Sequence, residues 1–445
     1  MNNAQIPTAK PDCEASEPAC AAERQTHPTD LQRKDETAEL GVTAAGEPSA
    51  LPNGLRAAAK LSLAAVCGLT FAFTAYVFLL SMMSADFAGS RDFAIYWTTG
   101  QQIAHHGNPY DRDALLRIGR AAGLLNPQHI IRLRNPPWTL PLIYPLGFFS
   151  MHVASIAWSL LLLACLAGSV HMLWVMHGRP RERRYLLGYT FGPALICLIM
   201  GQITILALLG LVLFLRLHRT RPFLAGVSLW LCALKPQLFL PFGVVLLAWI
   251  IASRSYKILI GAAVAIAASC AVTYLLIPME WSQYALMLRR QESEFEFAAC
   301  LSVLLRFWID KGAVWLQYLP SALGCIWGLG YFWPRRLKWD WMKDGGVLML
   351  VSLLTAPYTF LYDQVLAIPA LLQGASVTRS YSKLAALALL SALVECGLIG
   401  LFWSSSSLYI WTLWSAPAWL AWYLWAARNK ETQAERIRGT AAIAD

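Results

Sequence analysis

From Leu55 onward the chain is a succession of apolar runs, and this recurrence limits its possible folds more than any other feature. A helix that crosses a bilayer needs about 20 apolar residues, because no water reaches its backbone N–H and C=O groups there. Long runs fall near 57–82, 151–176, 258–277, 313–333, 384–403 and 408–426. Shorter paired runs fall near 185–200 and 203–217, 222–234 and 237–252, and 345–358 and 364–376. Counted together they predict an all-α polytopic membrane protein with about 12 transmembrane helices. The stretch 138–150 is apolar but too short and proline-punctuated to span, so it is expected to pack on the bundle or re-enter the membrane. Only 14% of residues are charged, against about a quarter in soluble domains, which leaves too little charge to cover a water-facing surface.

Basic residues set the orientation. Arg179 to Arg184, Arg216 to Arg221, Arg254 with Lys257, Arg335 to Lys343, Arg379 with Lys383, and Arg428 to Arg438 fall on one face if the spans alternate. The opposite short connections hold almost no basic residue apart from Lys235. Cytoplasmic loops collect Lys and Arg, so both termini are expected to be cytoplasmic, and the long loops at about 83–137 and 278–312 extracytoplasmic. The same scatter of short basic runs accounts for the net charge of +10 and argues against nucleic-acid binding. Residues 1–55 are polar, without apolar periodicity, and read as a disordered cytoplasmic tail. Residues 56–427 form the transmembrane domain, and 428–445 a cytoplasmic C-terminal tail. The ten cysteines show no metal-ligand spacing and read as unpaired.

The expected outer face carries the residues with chemical potential. Asp92 opens Asp92-Phe-Ala-Ile-Tyr-Trp97 just past the first span. It can act as a general base toward an attacking hydroxyl or cap a helix running from Phe93 to His105. Asn108-Pro-Tyr-Asp111 and Asn135-Pro-Pro-Trp138 read first as turns. Lys235-Pro-Gln237 breaks an apolar run; a lysine at that depth either meets an anion or snorkels to the interface. Gly201-Gln202 and Ala356 to Asp363 are further turns on the same side. In the second long loop, Trp281, Tyr284, Leu288 and Phe295 can pave the interface, while Arg289 and Arg290 meet lipid phosphate or remain solvated.

In their order these segments resemble glycosyltransferase family 87: Asp92-Phe with its aromatics, Pro109-Tyr-Asp111, Asn135-Pro-Pro-Trp138 with Tyr144-Pro-Leu146, Gly201-Gln202, Ala225-Gly226, Lys235-Pro-Gln237 and Pro357 to Asp363. The likeness covers about residues 85 to 375. Asn135 stands where the family more often has Tyr, and some mannosyltransferase members carry His where Tyr362 and Asp363 stand. The resemblance implies a C-type glycosyltransferase-like bundle with a structured first extracytoplasmic loop, in a bacterial inner membrane. It implies an inverting transfer of a hexose, mannose included, or a pentose from a polyprenyl-phosphate sugar to a cell-envelope glycan or lipid. Asp92 would be the base. Lys235, Arg134, Arg289 and Arg290 are the expected partners of the donor phosphate. Tyr96, Trp97, Tyr110, Asp111, Trp138, Gln202, Gln237, Tyr362 and Asp363 are the expected substrate contacts. No metal or other cofactor is expected. The alternative is a transporter or flippase of a lipid-linked sugar. Internal repeats would favour transport; none is visible, and long outer loops with carboxylates favour an enzyme.

Overall fold

The computed structural model describes residues 53–83, 92–123, 133–180, 183–289, 298, 300–378, 380–403 and 412–427. Most of the expected N-terminal tail, the C-terminal tail, Arg290 and Phe295 lie outside these residues. Among the described residues all regular structure is helical. In chain order the helices are α1 (Asn53–Met83), α2 (Phe93–Ala104), α3 (Arg112–Ala121), α4 (Met151–Met176), α5 (Gly192–Met200) and α6 (Thr204–Leu217). They continue with α7 (Pro222–Cys232), α8 (Leu240–Ser253), α9 (Tyr256–Leu276), α10 (Glu280–Arg289), α11 (Leu301–Ile309) and α12 (Val314–Phe332). The last are α13 (Trp341–Thr355), α14 (Ile368–Val377), α15 (Tyr381–Trp403) and α16 (415–427). Helix α1 starts at Asn53, inside the stretch expected to be tail.

Among the described residues three segments are long and apolar enough to cross a membrane: Met151–Met176, Pro236–Ser253 and Tyr256–Leu276. The paired runs form shorter helices, with 9 residues in α5, 14 in α6, 11 in α7, 15 in α13 and 10 in α14. At about 1.5 Å per residue none of these five matches a hydrocarbon layer of about 30 Å alone. Their ends are written in the sequence. Pro193, Pro222 and Pro241 occupy the first turns of α5, α7 and α8, where no intrahelical N–H bond is lost. Gly201 ends α5 at φ +69°, the left-handed conformation that glycine adopts without strain. Between these short helices lie turns, and the turns carry the polar residues.

Close packing holds the bundle. A Cβ added to Gly226 on α7 would lie 2.0 Å from the Ile258 carbonyl oxygen on α9. One on Gly261 would lie 2.1 Å from the Phe223 oxygen. Helices in a membrane gain contact by such close backbone approach. Gly226→Ala must push α7 and α9 apart and is expected to cost about 1–3 kcal/mol. Thermal unfolding of the detergent-solubilised protein measures this, and an unchanged midpoint would rule out the close crossing. Elsewhere Phe214, Phe242 and Trp341 meet edge-on or tilted at 5.0–6.1 Å between ring centres, tying α6, α8 and α13 together.

The apolar stretch after Pro136 becomes a chain of tight turns, Pro137–Thr139, Leu140–Ile143 and Tyr144–Phe148. It packs on α2. Gly100 and Gly147 touch backbone to backbone, and Gln101 Nε2 donates to the Gly147 carbonyl at 2.8 Å. Trp97 Nε1 donates to the Phe149 carbonyl at 3.0 Å. These contacts fix α2, and with it the position of Asp92 at the helix start.

Candidate active site

Gln202 follows the left-handed turn at Gly201, and its own N–H donates to the Cys197 carbonyl. That pairing points the next side chain away from α5. Lys235 sits where α7 gives way to the short turn Pro236–Phe239, because proline at 236 ends regular pairing. Asp363 lies in the turn Leu361–Ala367, after Pro357 has broken the path from α13. Its Oδ2 accepts from the Phe360 N–H at 3.0 Å. Three turns separated by tens of residues thus arrive at one place.

They share one polar network. Asp363 Oδ1 accepts from Lys235 Nζ and from Thr204 Oγ1, each at 2.7 Å. Lys235 Nζ also donates to Gln202 Oε1 at 3.0 Å and lies 4.9 Å from the centre of the Tyr362 ring. The Tyr96 hydroxyl donates to the same Oε1 at 2.9 Å. The other end of the amide, Nε2, donates to Asp92 Oδ2. Gln202, Lys235 and Asp363 are 5%, 8% and 1% exposed. A buried ion pair persists only when most of its remaining donors and acceptors are also met; here Thr204 and the Phe360 amide serve Asp363, and Gln202 takes a second donor of Lys235.

Asp92 occupies the N-cap position of α2, yet its side chain makes no capping hydrogen bond. The carboxylate is turned toward Gln202 instead, so the simple cap does not account for it. Burial pushes the Asp92 carboxyl above its ordinary pKa, opposed by the Gln202 hydrogen bond and by the charge of Lys235. A carboxylate of raised pKa is a stronger base.

An open cavity of about 620 Å³ runs along this network. Among the described residues, Asp92, Arg134, Lys235 and Asp363 are the charged residues on its wall. Tyr96, Gln202, Gln237 and Tyr362 also line it, with Leu133, Leu234 and Phe360 as an apolar side.

The other expected contacts stand elsewhere. Trp97 is buried against the Phe149 carbonyl. Tyr110 donates to the Asn135 carbonyl at 3.2 Å and packs on Tyr284. Asp111 caps α3, accepting from the N–H groups of Asp113 and Ala114. The Trp138 indole N–H donates to the Ala233 carbonyl at 2.8 Å, and its ring meets Trp281. Each of these four polar groups is engaged by backbone within the scaffold. Arg289 is exposed at the end of α10 and does not line the cavity; Arg290 lies outside the described residues. Besides the apolar residues Leu133, Leu234 and Phe360, two polar contributors were not foreseen. Thr204 follows Gln202 by two residues and opens α6, so its hydroxyl was available to the same centre. Tyr358 lines the cavity from within the foreseen 356–363 turn.

No curated protein matches the chain, and no solved structure matches it. A family profile does, over residues 134–361, just over half of the 445 residues. The matched stretch runs from Arg134 through Gln202 and Lys235 to Leu361, so it takes in most of the cavity wall. On that match the chain belongs to glycosyltransferase family 87.

Proposed function

We propose that this glycosyltransferase moves a hexose, mannose among the candidates, or a pentose from a polyprenyl-phosphate sugar to a cell-envelope glycan or lipid. The observation that carries the reading is the meeting of Asp92 and Lys235 at one open cavity, bridged by Gln202. Asp92 takes the proton of the acceptor hydroxyl as its oxygen bonds to the anomeric carbon. The bond from that carbon to the phosphate oxygen breaks on the opposite face, its electron pair leaves with polyprenyl phosphate, and the configuration inverts.

Charge develops on the departing phosphate, where fixed cations act most strongly. An ammonium has three donors; Gln202 and Asp363 occupy two of those of Lys235, leaving one for the substrate. Arg134 adds a planar guanidinium on the same wall, suited to phosphate oxygens. The apolar side at Leu133, Leu234 and Phe360 suits the start of a lipid chain. The alternating Lys and Arg of the connecting loops support an outward-facing cavity in a bacterial inner membrane, with both termini cytoplasmic.

The test offers the purified protein polyprenyl-phosphate sugars and nucleotide sugars side by side. Transfer from the lipid-linked donor alone is expected, and transfer from the nucleotide sugar alone would overturn the reading. In the same assay Arg134→Gln is expected to lower kcat/KM for the donor on the order of tenfold or more, the worth of one charge-assisted hydrogen bond.

A further inference from the structure

We infer that Gln202 is a positioning residue that holds Oδ2 of Asp92 and so orients its carboxylate for the reacting proton. The inference rests on the reading of Asp92 as the base. An amide side chain has an accepting end and a donating end, and the two are chemically opposite. Lys235 Nζ can only donate, and it lies 3.0 Å from Gln202 Oε1. The Tyr96 hydroxyl donates to the same oxygen at 2.9 Å. Lys235 cannot swing away cheaply, because Asp363 holds it at 2.7 Å and Asp363 is itself held by Thr204 and the Phe360 N–H.

The accepting end of the amide is therefore pinned, and the NH₂ end has to face Asp92. A flipped amide would set NH₂ against the ammonium and its carbonyl oxygen against the carboxylate. Both contacts would be repulsive, and both groups are buried or nearly so. Oδ2 of Asp92 accepts from Gln202, and the Tyr362 hydroxyl is a further partner of the carboxylate; a carboxylate has about four acceptor sites, so Oδ1 can still receive the acceptor's proton. When Oδ1 becomes O–H, Oδ2 remains a carbonyl oxygen and still accepts, so the amide need not move during the step. Lys235 thereby acts on the base through Gln202 as well as on the donor, linking the two halves of the cavity.

Among the described residues the groups facing Asp92 are Gln202, Lys235, Asp363 and Tyr362, with Tyr96 and Cys197 close behind. Arg134 shares the cavity wall. Of these, Gln202 and Tyr362 are the neutral groups bonded to the carboxylate, and Gln202 is the one that also accepts from Lys235. Gln202→Met keeps the length and loses both ends of the amide. Gln202→Glu keeps acceptors for Tyr96 and Lys235 but turns a second carboxylate toward Asp92.

The test needs no sugar substrate. N,N′-dicyclohexylcarbodiimide reacts with protonated carboxyl groups, and mass spectrometry of the peptide containing Asp92 reads its labelling across a pH series in the full-length protein. Losing a hydrogen bond to the charged form raises a carboxyl pKa. The labelling midpoint is therefore expected to rise by about one pH unit in Gln202→Met and further in Gln202→Glu. The acid limb of kcat in transfer assays should move the same way. Gln202→Glu preserves the contacts to Tyr96 and Lys235, so that variant answers even if the methionine variant melts early. Midpoints equal to wild type in a folded variant would overturn the inference and leave the role of Asp92 itself to Asp92→Asn.

Discussion

Asp92→Asn is expected to abolish measurable sugar transfer, with a loss of roughly 10²–10⁴-fold in kcat, the worth of a positioned general base. The protein should still fold and enter the membrane. Asparagine has the same shape, and its side-chain oxygen can accept from Gln202 Nε2 as the carboxylate does. Helix α2 loses no cap, because the Asp92 side chain makes none, and its anchoring rests on Trp97, Gln101 and the Gly100–Gly147 contact. The pH dependence carries its own sign. The base works only when ionised, so activity falls as pH drops through the pKa of Asp92. Burial raises that pKa, so the wild-type acid limb should lie above the range of an ordinary carboxylate. Kinetics of the two proteins over a pH series checks both points; an asparagine variant with full kcat would remove Asp92 from the chemistry.

The second large effect is on the fold as well as the reaction. Lys235→Met strands Asp363, which is 1% exposed, without its counter-charge. Breaking a buried pair from one side costs about 3–5 kcal/mol, since the remaining charge keeps its desolvation penalty. Thr204 and the Phe360 N–H still contact the carboxylate but carry no charge to offset it. Lys235→Met with Asp363→Asn removes both charges and should recover most of the thermal stability. It should not recover transfer, because the cation on the cavity wall is still missing. Melting and kinetics of the single and double variants separate the two roles. A single variant as stable as wild type would mean that the pair does not hold the turns together, and a double variant with full activity would free the mechanism of Lys235.

Several turns of the fold were legible because proline and glycine act locally. Pro193, Pro222, Pro236 and Gly201 place helix ends and turns within a residue or two, and the polar residues beside them, Gln202 and Lys235, stand out against apolar runs. What no local pattern shows is which turns meet. Lys235 and Asp363 are 128 positions apart, and Asp92 and Gln202 110 apart. Nothing in the spacing of either pair says that 2.7 Å will separate the first.

Side-chain facing was equally hidden. Trp97 and Trp138 have the residue type of a sugar platform, but an indole N–H near a broken helix also finds the nearest open carbonyl, and both do. Asp111 shows the reverse case to Asp92. Both precede a helix, yet Asp111 accepts from two backbone N–H groups while Asp92 turns to a glutamine from another element. Only the position of Gln202 decides between those outcomes. Thr204 escaped notice because a threonine at the start of an apolar helix resembles any other helix start until Asp363 is brought to it.

A structure of the protein with a polyprenyl-phosphate sugar bound tests the central claim most directly. The phosphate is expected at about 3 Å from Arg134 or Lys235, with the anomeric carbon presenting its far side toward Asp92. A phosphate seated outside this cavity, or a sugar whose reacting face Asp92 cannot approach, would contradict it.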